Sequence, residues 1–227
     1  MRQRLSIEPR QAALILVDLQ EEQRQVPHYA VERFEIVLAN ARRLLEAARA
    51  NAVLTVHAAY RRDFDAVPPR PLEPLLPDGG PAFSDKRSPH TAICTEVAPR
   101  PGEPVLFKND ASAFCEGELE PLLRRAAIEW LMVAGVWTEA CVAATVRDAI
   151  ARGLRVMLVK DACGSGTLAM HQTGILNLAN RLYGGAVAST ETAVRLLLGA
   201  EGEVWIPERP VPILFGYGDA ERHYEML

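Results

Sequence analysis

The 227-residue sequence is 49% hydrophobic and 24% charged, with a formal net charge of -4; this is ordinary globular usage and excludes disordered and fibrous classes. A mildly acidic chain of pI near 5.8 offers no basic field to follow phosphates, so a nucleic-acid surface is not expected. Its longest apolar runs, such as Trp130 to Val136, are too short for a bilayer, and the expected partner is a small molecule rather than nucleic acid or membrane.

In chain order, the residues through Arg10 are polar, and then Ala12 to Val17 runs apolar without alternation up to Asp18. That is the pattern of a parallel strand covered on both faces. From Val31 to Ala50, Phe34, Val37, Leu38, Ala41, Leu44, Leu45 and Ala48 recur at helical spacing between charged residues, which predicts an amphipathic helix. Val53 to Val56 is the next strand. The Pro- and Arg-rich stretch from Tyr60 to Pro104 has little periodicity, and so long an irregular segment within a domain is commonly a lid or substrate loop.

Regular patterning resumes with a strand at Val105 to Lys108, a helix at Glu118 to Ala127 and a strand at Trp130 to Gly135. A helix from Cys141 to Arg152 follows, terminated by Gly153. Arg155 to Val159 is a strand, His171 to Tyr183 a helix, and Ala186 to Ser189 leads into a last helix through Leu198. Alternating β and α units predict an α/β fold: a single-domain, Rossmann-like open parallel sheet with helices on both faces. The domain is expected to span 1–227, with its core at about 12–198. The aromatic, Pro-rich tail at 201–227, with Trp205, Phe215, Tyr217 and Tyr224, reads as an arm packed on a neighbouring surface, hence an expected homo-oligomer, dimer or tetramer. Cys94, Cys115, Cys141 and Cys163 form no C-x-x-C pair, and no basic, apolar leader precedes the first strand. A reducing, cytoplasmic setting is the expectation.

Ligands of open parallel sheets bind beyond the carboxyl ends of the strands. Asp18 closes the first predicted strand, Lys108 closes a middle one, and Cys141 opens the helix after the Trp130 strand. Taken singly, each has an ordinary explanation: a turn-forming carboxylate, a solvated strand-end lysine, a small buried thiol. Capping and burial do not require all three at one sheet edge, whereas nucleophilic catalysis does. A helix N-terminus and an ammonium group both favour the thiolate of Cys141. Asp18 is suited to take the thiol proton and return it to a departing amine, with Lys108 positioning both groups. Backbone N–H groups in the turn from Trp137 to Cys141 are candidates for holding the developing oxyanion.

Leu16-Val17-Asp18-Leu19-Gln20, Phe107-Lys108-Asn109-Asp110-Ala111-Ser112-Ala113-Phe114 and Ala134-Gly135-Val136-Trp137-Thr138-Glu139-Ala140-Cys141-Val142 resemble, in order and spacing, the signature segments of isochorismatase-like cysteine hydrolases. The resemblance extends over about 12–198 and is nearest to biuret hydrolases and to ureidoacrylate and N-carbamoylsarcosine amidohydrolases. It implies a parallel-sheet amidohydrolase that cleaves a C–N bond of a small amide, carbamoyl or ureido compound through a thioester, using Asp18, Lys108 and Cys141. It further implies a cis peptide between Val136 and Trp137 and an oxyanion hole formed by the N–H groups of Trp137 and Cys141. Trp137 departs from the family, where this position is commonly small, and reads either as packing or as a pocket wall.

Nicotinamidases of the family bind a metal through an Asp-x-His pair, where this sequence has only Val56-His57-Ala58-Ala59-Tyr60; no metal and no cofactor are expected. True isochorismatases lack the cysteine nucleophile, so Cys141 favours an amidohydrolase. Ether hydrolysis led by Asp18 and a catalytically silent binding module of the same fold stay open as alternatives. Biuret hydrolases have a glutamine where Tyr183 stands, making Tyr183 a candidate substrate contact and putting biuret itself in doubt. Phe114, at the end of the second motif, is another candidate. Arg61 and Arg62 are candidates for pairing with an anionic substrate tail.

Overall fold

A computed structural model describes residues 1–227. In chain order the elements are β1 (Arg2–Leu5), β2 (Ala12–Val17), α1 (Glu22–Gln25), α2 (Phe34–Ala50), β3 (Leu54–Tyr60), β4 (Val105–Lys108), α3 (Leu119–Arg125), β5 (Trp130–Val136), α4 (Ala143–Ala151), β6 (Arg155–Gly164), α5 (Leu168–Ala179), β7 (Ala186–Ala188), α6 (Thr190–Leu197), β8 (Gly202–Trp205) and α7 (Ala220–Glu225). All eight strands join one sheet in the order β1-β8-β7-β6-β5-β2-β3-β4. The six strands from β7 to β4 run parallel. At the other edge β8 is antiparallel to both β7 and β1.

Every residue of β2 and β5 is buried, which explains why these strands read as unbroken apolar runs. Their alternate side chains serve opposite faces. Leu14, Leu16, Met132 and Ala134 meet Val37, Leu38 and Leu44 of α2 and Leu196 of α6. Ala13, Ile15, Leu131 and Val133 meet Leu123 of α3, Val146 of α4 and Ile175 of α5. The predicted α/β sheet with helices on both faces is therefore the observed fold. No helix is long and apolar enough to cross a membrane.

The sequence reading missed β1 and β8, the antiparallel pair that extends one side of the sheet. β1 is largely exposed and carries no apolar period, and β8 was read as part of the arm. Most of the tail also packs on its own chain: Ile213, Ala220, Tyr224 and Leu227 are buried in the core beside α5. That corrects the placement of 201–227 on a neighbouring surface. Only part of its apolar surface stays open, chiefly Leu214 at 81% and Tyr217 at 105% exposure.

Chain order sets the crevice. From β2 the chain moves outward through β3 to β4, then returns to pair β5 against the other side of β2. The carboxyl ends of β2 and β5 thus flank the topological switch point, where loops diverge and leave a cleft. The segment between β3 and β4 is irregular, with only single helical turns at Pro89–Thr91 and Thr95–Val97.

Candidate active site

Asp18 directly follows β2, with φ at +52°, a left-handed conformation that Asp tolerates better than most residues. Its side chain turns into the protein and is almost fully buried. Oδ2 lies 2.8 Å from Lys108 Nζ, and Oδ1 accepts the Tyr60 backbone N–H at 2.8 Å. That same N–H reaches Gln20 Oε1 at 2.9 Å, and Gln20 Nε2 donates to the carbonyls of Tyr60 and Thr91. The Lys108 ammonium also donates to the Asp110 carbonyl at 3.2 Å and stands 4.3 Å from the centre of the Tyr60 ring. A buried carboxylate and ammonium are thereby each compensated by several partners, as such groups require.

Cys141 lies one turn later than a simple strand-to-helix junction would place it. Thr138–Val142 forms a wide, π-type turn that runs into α4, so Cys141 precedes the regular helix rather than opening it. Its thiol interacts with both Asp18 and Lys108. The expected lowering of its pKa is not what the environment produces: burial pushes the thiol far up, the Asp18 charge adds to this, and Lys108 offsets only part. Burial likewise raises Asp18, against the opposing effects of Lys108, Cys141 and the Tyr60 N–H. Burial alone would lower Lys108, but the charges of Asp18 and Cys141 outweigh it and raise it. The thiol is thus held neutral beside the Asp18–Lys108 pair. Generating the thiolate requires proton transfer to Asp18, whose raised pKa makes it a stronger base.

The Val136–Trp137 peptide is cis. The Trp137 carbonyl accepts from Ala140 N at 3.0 Å and Val142 N at 3.2 Å, bonds that straddle the Cys141 amide, while the Trp137 N–H donates to no group of the chain. The turn is anchored from behind. Thr138 Oγ1 donates to the Gly164 carbonyl at 3.0 Å and lies 2.8 Å from His171 Nδ1, and His171 Nε2 lies 3.1 Å from the Tyr224 hydroxyl. Because the threonine proton goes to Gly164, His171 donates from Nδ1 and accepts from Tyr224 at Nε2, a neutral tautomer. Burial lowers its pKa to about 4, in agreement with that assignment.

Asp18 and Cys141 open onto a cavity of about 350 Å³ that is also lined by Glu22, Gln23, His28, Tyr29, Tyr60, Phe83, Ser84, Val136, Trp137 and Ala140. Trp137 is a cavity wall. Its ring passes so close to Gly166 that a Cβ there would lie 2.7 Å from the indole, and its Nε1–H donates to Gln23 Oε1 at 2.8 Å. An indole nitrogen only donates, which fixes the glutamine oxygen toward it. Phe83 and Ser84 come from the irregular segment after β3, which therefore helps to shape the cavity.

The other substrate candidates lie elsewhere. Arg62 is buried and forms a fork with Glu73 at 2.6 and 2.8 Å, with its remaining nitrogen on Asn109 Oδ1 at 3.0 Å; it ties the irregular segment down. Arg61 stacks on Phe107, 4.8 Å from the ring centre, in a separate surface hollow. Phe114 is buried in the core against α4, under the Arg152 guanidinium. Tyr183 is 52% exposed beyond the end of α5 and just before β7. Since α5 returns from the carboxyl edge of the sheet, its far end lies at the opposite edge from Cys141. None of these four lines the cavity.

The residues sequence reasoning overlooked, Glu22, Gln23, Tyr29, Tyr60 and Phe83, carry no signature of their own. Only the nearness of Glu22 and Gln23 to Asp18, and of Tyr60 to the end of β3, pointed to them. His57 lies within β3 with Nε2 3.1 Å from Glu103 and Nδ1 unpartnered. Glu21, Cys94 and Glu96 present ligand atoms within 4.8 Å of one another, but Arg24 already pairs with both carboxylates at 2.6 and 2.9 Å.

The isochorismatase domain family matches residues 12–192. The chain is 30% identical to maleamate amidohydrolase of Pseudomonas putida over 67% of its own length and 71% of the relative's. It is 32% identical to N-carbamoylsarcosine amidase of an Arthrobacter species over 82% of its own length and 70% of the relative's. The crystal structure of an isochorismatase family protein from Desulfovibrio vulgaris superimposes with a TM-score of 0.73 at 27% identity, covering 82% of this chain and 98% of that one.

Proposed function

This chain belongs to the isochorismatase family, and from that premise we propose that it is a cysteine amidohydrolase cleaving a C–N bond in a small amide, carbamoyl or ureido compound. One observation carries the reading: Cys141 and Asp18 face a single cavity while Lys108 holds the Asp18 carboxylate in place. Amidohydrolases among its relatives support the same chemistry.

Cys141 Sγ attacks the amide carbonyl as its proton passes to Asp18. The N–H groups of Trp137 and Cys141 hold the oxyanion, a role supported by the unpartnered Trp137 amide. Collapse breaks the C–N bond, and Asp18 returns the proton to the departing nitrogen, leaving a thioester on Cys141. Water then attacks the thioester with Asp18 as base, releasing the carboxylic product and restoring the thiol. Every proton in the cycle moves between Asp18, Cys141, water and substrate.

A screen for ammonia release over small amides, carbamoyl compounds and ureides tests the proposal. Turnover that disappears in Cys141→Ala is the expected result. Hydrolysis confined to vinyl ethers would assign Asp18-led ether chemistry instead, and absence of any turnover alongside tight ligand binding would assign a binding module. The exposed Leu214 and Tyr217 support assembly into a dimer or larger homo-oligomer, which light scattering reads directly; a monomer at micromolar concentration would refute it.

A further inference from the structure

Glu22 lies in the cavity wall, 6% exposed. Oε1 accepts the Ser84 backbone N–H at 2.9 Å and Oε2 the Ser84 hydroxyl at 2.6 Å. Both donors are neutral, and none of the ion pairs in the chain includes Glu22. Ser84 itself is held at φ +52°, a conformation sustained only where surrounding structure imposes it, and it aims both donors at the carboxylate. A buried carboxylate without a cation is normally costly. The cavity that Glu22 lines is a side from which a cation can approach it.

The rest of the wall suits a cation. Tyr29 and Phe83 meet edge to face with ring centres 6.1 Å apart, and Trp137 adds a third ring. Aromatic faces attract ammonium groups most strongly where water is excluded. Lys108 already occupies a face of Tyr60 and is paired with Asp18, Arg62 is sealed by Glu73, and Arg61 is outside; no free arginine or lysine lines the cavity to receive an anion. The one basic side chain at the cavity is His28, on its exposed rim. The Glu22 charge is felt within the wall, where it adds to burial in raising the Tyr29 hydroxyl.

We propose that the cavity selects compounds bearing a positively charged nitrogen, received by Glu22 between the rings of Tyr29, Phe83 and Trp137. That the cationic compound is also an amide rests on the amidohydrolase reading of Cys141; the cation site itself rests on Glu22 and its surroundings. The scissile carbonyl then sits at Cys141 with the charged end of the substrate directed away from it. An anionic tail, by contrast, meets two carboxylates, Asp18 and Glu22, with only one of them neutralised.

The test is calorimetric titration of the intact protein with two probes of similar shape, benzyltrimethylammonium and phenylacetate. The ammonium is expected to bind at least about tenfold more tightly, the effect of roughly one unit charge in a partly buried site. Glu22→Gln, which keeps the shape and an acceptor for Ser84, should remove that preference without changing phenylacetate binding for the worse. Should Glu22→Gln lower the melting temperature, Phe83→Leu provides a second route, weakening the ammonium while the carboxylate stays intact. Equal or tighter binding of phenylacetate by the native protein, or ammonium affinity unaffected by both substitutions, would overturn the proposal. Neither titration depends on turnover, so failure of the ammonia-release screen with these preferences intact would overturn the hydrolase reading alone.

Discussion

Lys108 Nζ and Asp18 Oδ2 are 2.8 Å apart with side chains 1% and 4% exposed, so an ion pair is buried at the cavity wall with the Cys141 thiol beside it. Removing either charge strands the other in the interior. Asp18→Asn and Lys108→Ala are each expected to lower kcat by about 10² to 10⁴, the range of a lost general base. Steady-state ammonia release checks this, with circular dichroism to confirm folding.

The pH profile follows from the same pair. Asp18 acts as base only when ionised, and burial raises its pKa above the ordinary 3.8; kcat/KM should therefore fall as pH decreases through that raised value. Lys108 is raised above 10.5, so its proton, and the stability that its pairing contributes, is retained below that pH and lost only above it. The thiol, also raised, supplies no thiolate near neutrality. Above that fall a plateau toward pH 10 is expected, together with slow alkylation of Cys141 by dilute iodoacetamide in the free protein. Fast alkylation following a neutral thiol pKa would contradict the proton assignment.

His171 makes a separate prediction about stability. Its folded pKa of about 4 lies below the ordinary 6.5, so between these values the unfolded chain binds a proton that the folded one does not. Stability then rises with pH across that window and is lost as pH falls through it. Urea melts at pH 4.5 and 7 should show a larger drop for the native protein than for His171→Gln. Tyr224→Phe, which leaves His171 Nε2 without its donor, should cost about 1–3 kcal/mol at neutral pH.

Much of this was legible in the sequence because parallel strands buried on both faces have nothing to alternate. β2 and β5 stand out as apolar runs, and the residues that close or follow strands fall at the crevice by topology alone. Asp18, Lys108 and Cys141 came together for that reason. Strands β1 and β8 escaped because they are short and hydrogen-bonded to each other across nearly the whole chain, a pairing with no local signal. The pairing of Arg62 with Glu73, away from the cavity, was not legible because Glu73 lies in a stretch with no periodicity to reveal the fold-back. The position of Tyr183 outside the cavity follows from the direction of α5: it depends on which sheet edge a helix returns to, and α5 ends at Ala179, four residues short of it. Arg61→Ala and Tyr183→Ala should accordingly leave KM within about twofold of native, a change too small for a lost substrate contact.

Gly135 offers the most stringent check on the site's backbone. It lies in β5 one residue before the cis peptide, at φ +131°, where the pairing of β5 with β6 shifts register between Val133 and Gly135. A Cβ built on it would lie 2.0 Å from the Val17 carbonyl oxygen and 2.7 Å from the Val17 nitrogen. Those are backbone atoms of the neighbouring strand, with no flexible end to move aside, and the conformation is one that side chains rarely adopt. Gly135→Ala must therefore separate β5 from β2 at the point where Asp18 and the turn carrying Cys141 emerge. The substitution adds a single methyl group far smaller than the cavity, yet it should abolish turnover and lower the melting temperature by several degrees, as expected for about 2 kcal/mol or more of overpacking. Gly153→Ala is the matched control: its φ is also positive, at +81°, but a Cβ there meets nothing within 4 Å. It should cost only about 1 kcal/mol of backbone strain and leave kcat unchanged. If the two variants lost activity equally, the close approach of β5 to β2 would not be what holds Asp18 and Cys141 in register.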